Sequence, residues 1–215
     1  MRAGDPKVFR ARYPWLDSRR IILFLSRIDR KKGLELLIDA FAMVRENNQD
    51  VALVIAGDGE NSYVRELRER ARRLQHGARS LEQGQEDKER EEDYGIIWTR
   101  HLSGEMKAAV LAAADVFVLP SASENFGIAA AESLAAGVPT IVSEEVALSR
   151  DIRRSDAGVV VKRDMQQLAG AISDLLSNTE RAAGLAANGR RLAEQRYSPE
   201  AVGRALHELY QKIIT

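Results

Sequence analysis

Residues 21–56 read IILFLSRIDRKKGLELLIDAFAMVRENNQDVALVIA, and this stretch decides the fold class. It opens with an unbroken apolar run, Ile21 to Leu25. Such a run is expected of a strand buried on both faces, as parallel sheets require. A polar, basic turn follows, and then Leu34, Leu37, Ile38, Phe41 and Val44 recur at helical spacing. A second apolar run, Val51 to Ala56, closes on Gly57-Asp58-Gly59. Strand, helix, strand is the repeating unit of an α/β domain with a parallel sheet.

The alternation continues outward. Tyr63 to Leu74 is charged and amphipathic, Ile96 to Trp98 is a short strand, and Gly104 to Ala114 is helical and alanine-rich. Val116 to Leu119 is a strand ended by Pro120, and Phe126 to Ala136 reads as a buried helix stopped by Gly137 and Pro139. Thr140 to Val142 and Gly158 to Val161 complete the strands. From Asp164 onward the chain is almost wholly helical, with a break at Tyr197-Ser198-Pro199. Right-handed crossovers then give an α/β, Rossmann-like parallel sheet flanked by helices. Residues 21–198 are expected to form this domain, residues 1–20 a lead-in or linker, and residues 199–215 a C-terminal helix. Residues 75–93, QHGARSLEQGQEDKEREED, break the pattern, with Leu81 alone among many charges. They read as a solvated extension or loop, or as an arm that binds a partner.

Composition narrows the function. The 215 residues carry 32 Lys+Arg and 32 Asp+Glu, so no basic excess marks a nucleic-acid binder. Cysteine is absent, which excludes disulfides, Cys-based zinc sites, iron–sulfur clusters and thiol nucleophiles. The three histidines lie far apart in sequence, so no metal site is expected. No apolar run is long enough for an integral membrane segment, and the first 15 residues have no signal-peptide core. A cytoplasmic location is the default expectation.

Ligands of open α/β sheets bind beyond the carboxyl ends of the strands, so the residues after each strand matter most. After the first strand come Arg27, Arg30, Lys31 and Lys32, and Gly33 opens a helix. Cations oppose the dipole at a helix N-terminus, so their placement points to a bound phosphate as much as to a solvated basic turn. Gly57-Asp58-Gly59 lacks the full dinucleotide fingerprint. It reads as a tight turn, with Gly57 also able to line a nucleotide pocket. After the fourth strand, Glu124 precedes a helix that contains Glu132 among Ile128, Ala129, Ala130, Ala131, Leu134 and Ala135. Glu124 is either a helix cap or a ligand group. Glu132, in so apolar a helix, is either salt-bridged or committed to a hydroxyl-bearing ligand. Backbone amides of Asn125, Phe126 and Gly127 complete the helix end.

These segments together resemble the C-terminal nucleotide-sugar-binding domain of group 1, or family 4, retaining glycosyltransferases of GT-B fold. LFLSRIDRKKGLELLIDAF is similar to the family's G-R-(x)4-K-G-(x)3-L-(I)-x-A-F segment. VIAGDGE and ADVFVLPSASENFGIAAAESLAAGVPTIVS follow in the family's order, with Glu124 and Glu132 as its E-(x)7-E motif. The likeness runs from about Val8 to Ile213. It implies that Arg27 and Lys32 bind the donor diphosphate and neutralise the leaving group. It implies that Glu132 holds the ribose hydroxyls, Glu124 contacts the donor sugar, and the amides of Asn125, Phe126 and Gly127 meet sugar hydroxyls and phosphate. Arg27, Lys32 and Glu124 would be the catalytic set, with no metal and no cofactor beyond the nucleoside-diphosphate sugar. The acceptor would be a glycan, lipid or small molecule.

The sequence departs from the family pattern at Ser26 and Arg100, where glycines are usual. Ser143-Glu144-Glu145-Val146-Ala147-Leu148 also replaces a Gly-Gly-(x)2-Glu loop, and residues 75–93 are longer than the usual link. GT-B enzymes have two such domains, so the resemblance implies an N-terminal domain supplied in cis or trans. The isolated chain is then not expected to be catalytically competent. An epimerase-like GT-B domain and a degenerate interaction module are the alternative readings.

Overall fold

A computed structural model describes residues 4–76 and 95–214. Six strands form one sheet: β1 (Arg20–Leu25), β2 (Val51–Ala56), β3 (Ile96–Arg100), β4 (Val116–Leu119), β5 (Thr140–Ser143) and β6 (Val159–Val161). Their order is β3-β2-β1-β4-β5-β6, and every neighbouring pair is parallel. This is the expected Rossmann-like sheet. The chain runs outward from β1 through β2 to β3, then returns to the other side of β1 with β4. The reversal opens a crevice at the carboxyl ends of β1 and β4.

The apolar runs are explained by burial. All of β2 and β4, and β1 from Ile21 on, are buried, because helices cover both faces. Helix α1 spans Pro6–Arg12, α2 Leu34–Asn47, α3 Asn61–His76, α4 Gly104–Ala113, α5 Ile128–Ala136 and α6 Ser149–Arg154. The C-terminal helices are α7 (Met165–Ser177), α8 (Thr179–Arg196) and α9 (Pro199–Ile214). The aliphatic stripe of α2 is buried as its spacing requires, at Leu34, Leu37, Ile38, Phe41 and Val44. Gly137, with φ of 73°, terminates α5, and its N–H donates to the Leu134 carbonyl at 2.9 Å.

Three segments differ from the sequence reading. Residues 5–20 are folded onto the domain rather than forming a linker. The Asp5 side chain caps α1, Phe9 and Leu16 are fully buried, and Arg10 donates to the carbonyls of Leu16 and Arg19. Helix α6 had no strong periodic signal in its six residues. The long C-terminal helical tract is interrupted at Asn178, whose side chain caps α8 through the Arg181 N–H at 3.0 Å. The break at Tyr197-Ser198-Pro199 stands as expected, and the Ser198 hydroxyl accepts from the Ala201 N–H at 3.1 Å. Residues 77–94, most of the charged stretch, lie outside the described residues.

Asp115 ties β4 to β1 just before β4 begins. Its carboxylate accepts the Ile21 N–H at 2.7 Å, and its own N–H donates to the Ile21 carbonyl at 2.9 Å. Burial pushes its pKa above the ordinary carboxylate value, while the Ile21 hydrogen bond pulls the other way. Asp115→Ala strips a fully buried N–H of its acceptor and is expected to destabilise the domain by about 1–3 kcal/mol in a denaturant titration. Asp115→Asn, which keeps an acceptor oxygen, is expected to lose less.

Candidate functional site

The crevice is built from loops that touch. Beyond β1 and β2 the chains stay paired: the Ser26 N–H donates to the Ala56 carbonyl at 3.1 Å and the Ile28 N–H to the Asp58 carbonyl at 2.8 Å. A Cβ on Gly57 would lie 1.8 Å from the Ser26 carbonyl oxygen, so only glycine permits this approach. The Gly57-Asp58-Gly59 turn is therefore a packing device, and its first two residues also line the cavity.

The β1 loop then makes a short 3-10 turn, Arg30–Lys32, capped by the Asp29 side chain on the Lys31 N–H at 2.9 Å. Gly33 follows in the left-handed region at φ 72°. The β4 loop lies directly against it. The Ala122 N–H donates to the Lys31 carbonyl at 2.6 Å, and the Lys32 ammonium is ion-paired with Glu124. Glu124 is itself fixed through its backbone: its N–H reaches the Glu145 carbonyl at 3.3 Å, and its carbonyl accepts the Ala147 N–H at 3.0 Å. The Ser143–Leu148 stretch thus supports the Glu124 loop, with Val146 fully buried beneath it.

A cavity of about 620 Å³ opens where these loops meet. Arg27, Lys32, Gly57, Glu124, Gly127 and Glu132 all line it. Six of the eight residues picked out in the sequence are thus brought together. Asn125 and Phe126 are not among the lining residues. The reason is local: Gly127 adopts φ 93°, so α5 starts at Ile128 and not at Phe126. The first helical amides, which have no intrahelical partners, belong to Ile128 and Ala129, and both residues line the cavity. Phe126 turns away and sets its ring edge-on to Tyr197, with centroids 5.3 Å apart. The Tyr197 hydroxyl donates to Asp151, and burial, then that bond, push its pKa above the usual tyrosine value.

The basic turn also divides. Arg30 leaves the cavity to pair with Glu66 at 2.7 Å and to lie over the Tyr63 ring, its centroid 4.5 Å away. Arg27 makes no ion pair with another described residue, so its charge is available to a ligand. Glu132 is salt-bridged, as one sequence alternative held, and its partner is Lys107 of α4, with Nζ 2.6 Å from Oε1. Lys107 was missed in the sequence, as was Leu102, while His101, which follows the Arg100 departure, lines the cavity. The available signal was weak: Lys107 is the lone cation of α4.

The cavity wall thus carries three cations, Arg27, Lys32 and Lys107, against three carboxylates, Asp58, Glu124 and Glu132. Among the described residues, no three His, Asp or Glu side chains cluster as a metal site, and no helix is long and apolar enough to cross a membrane.

Comparison with known proteins gives the family and the fold. The sequence model of the family described as "Glycosyl transferases group 1" matches residues 6–192. The alpha-monoglucosyldiacylglycerol synthase of Streptococcus pneumoniae is 31% identical over 206 residues, covering 95% of this chain and 41% of that protein. The phosphatidyl-myo-inositol mannosyltransferase of Mycobacterium leprae is 34% identical over 208 residues, covering 95% of this chain and 49% of that protein. The chain therefore spans less than half the length of each of these relatives. Among solved structures, sucrose-phosphate synthase of Thermosynechococcus elongatus superposes with a TM-score of 0.76 at 25% identity, over 99% of this chain and 51% of its own. Anabaena HepE, crystallised with UDP and glucose, gives 0.77 at 20% identity over 98% of this chain and 55% of its own, a likeness of fold.

Arg100, a departure from the glycine implied by the resemblance, sits at φ 62° at the end of β3. The left-handed region costs a residue with a Cβ about 1–2 kcal/mol. Glycine removes that strain and returns part of the gain as backbone entropy. Arg100→Gly is expected to raise stability by about 0.5–1 kcal/mol, read as a higher denaturation midpoint at unchanged slope.

Proposed function

Because the chain belongs to the group 1 glycosyl transferases, we propose that it forms the donor-binding domain of a retaining glycosyltransferase. The donor in this reading is a nucleoside-diphosphate sugar. The acceptor and the remainder of the catalytic cleft come from a second domain, in cis or trans, in the cytoplasm. The observation that carries the reading is the convergence of Arg27, Lys32, Glu124, Glu132 and the first amides of α5 on one cavity at the β1/β4 crevice.

Each group has a physical task. A diphosphate lying between Arg27, Lys32 and the N-terminal end of α5 meets two cations and the positive end of a helix. When the bond from the anomeric carbon to the β-phosphate oxygen breaks, the electron pair stays on that oxygen. The same groups stabilise the growing charge without reorganising. Glu132 accepts hydrogen bonds from the ribose hydroxyls and Glu124 from the sugar. Lys32 reaches the phosphate by sharing or exchanging its contact with Glu124, so donor binding frees the Glu124 carboxylate for the sugar.

In this reading the second domain seats on α9. Val202, Leu206, Leu209, Tyr210 and Ile213 are exposed on this helix at spacings that place them along one face. Ile128, exposed at the cavity wall, adds apolar surface on the cleft side.

Calorimetry with UDP, GDP and ADP tests the donor site. One nucleotide is expected to bind selectively, and Lys32→Ala and Glu132→Ala are each expected to weaken it about 10- to 100-fold while the circular dichroism spectrum is unchanged. No binding of any of the three at millimolar concentration would overturn the reading. The isolated chain is expected to bind donor without transferring sugar efficiently, and robust transfer by it would disprove the need for a second domain.

A further inference from the structure

The Lys107–Glu132 pair has a feature that a simple link between helices does not require. Lys107 stands at the end of the first turn of α4 (Gly104–Ala113), where a cation opposes the helix dipole, and its neighbours along the chain are Glu105, Met106, Ala108 and Ala109. Its ammonium instead crosses to α5 and donates to Oε1 of Glu132 at 2.6 Å, with both side chains on the cavity wall and largely shielded from solvent. Glu132 otherwise sits on a helix of Ile, Ala, Ser and Leu side chains, none of which carries a charge to steer it.

We propose that Lys107 is a positioning residue that sets the ribose selectivity of the site. This rests on the donor reading above. The lysine engages one carboxylate oxygen of Glu132 and so fixes the carboxylate plane. The second oxygen is left to accept from the vicinal hydroxyls of a ribonucleotide. A ribose lacking those hydroxyls leaves that oxygen shielded and unpaired, which penalises deoxyribonucleotides. Without Lys107 the Glu132 side chain turns toward solvent, and the hydroxyls lose their acceptor. The diphosphate is held elsewhere, by Arg27 and Lys32, so its contribution does not depend on Lys107.

The test uses the full chain and the nucleoside diphosphate that the wild type binds tightest among UDP, GDP and ADP. Its dissociation constant is compared with that of its 2′,3′-dideoxy counterpart. The wild type is expected to prefer the ribonucleotide by about 10- to 100-fold, the range for a hydrogen bond to a charged group. Lys107→Met is expected to reduce that preference to about threefold or less, mainly by weakening the ribonucleotide, while binding of inorganic pyrophosphate stays within about twofold. Lys107→Arg is expected to restore most of the preference, because it keeps a cationic donor. Lys107→Gln, with a neutral donor of similar reach, serves if the methionine variant does not fold. A variant that keeps the wild-type ribose preference would overturn the proposal while leaving the donor reading intact. Loss of pyrophosphate binding along with nucleotide binding would overturn it too, by showing a general charge effect. A wild type that binds none of the nucleotides would overturn both.

Discussion

A Cβ on Gly33 would lie 2.2 Å from the Pro120 carbonyl oxygen, closer than any side chain allows. The site depends on this near-contact between the loop after β1 and the loop after β4. It permits the Lys31–Ala122 backbone hydrogen bond and brings Lys32 to Glu124 across 92 residues of sequence. The same kind of constraint acts on the other side, where Gly57 admits the Ser26 carbonyl. Three loops are thus locked edge to edge at the point where the strand order reverses. The reversal alone would give a crevice; the glycines let the loops approach closely enough for cations and carboxylates from different strands to line one cavity.

The fold was legible wherever burial imposes a pattern. β1, β2 and β4 are buried on both faces and appear as uninterrupted apolar runs, and α2 shows its stripe because one face packs on the sheet. Helix α1 was not legible, since its seven residues bury Phe9 alone and offer no period to read. α6 is shorter still. The start of α5 was misplaced by two residues because the deciding quantity is the φ of Gly127, which residue type permits but does not dictate.

The site was legible where function conflicts with local preference. Cations before a helix and a carboxylate inside an alanine-rich helix both stood out, and Arg27, Lys32 and Glu132 among them lie on the cavity. The same test applied to α4 would have flagged Lys107, a cation in a helix's first turn. Its partner could not be read, because the pairing spans 25 residues and depends on how α4 and α5 meet beside the sheet. Arg30 shows the converse. It belongs to the same basic run as Lys32, but the 3-10 turn points it toward α3, where Glu66 and the Tyr63 ring receive it. Spacing along the chain could not separate the two.

The charge arrangement has a consequence for binding. With three cations facing three carboxylates, the cavity is not a simple attractor for anions. Lys32 and Lys107 are already engaged, while Arg27 is not paired with another described residue. In the proposed donor site a phosphate gains Arg27, the end of α5 and Lys32, and drawing on Lys32 takes from Glu124 its ion-pair partner. A ligand that also brings a hydroxyl donor gives that carboxylate a new partner. Under that reading Glu124 favours a phosphate that arrives with a sugar over bare phosphate, while Lys107 keeps Glu132 paired whichever ligand binds. The cations supply attraction, and the carboxylates set the condition under which that attraction is realised.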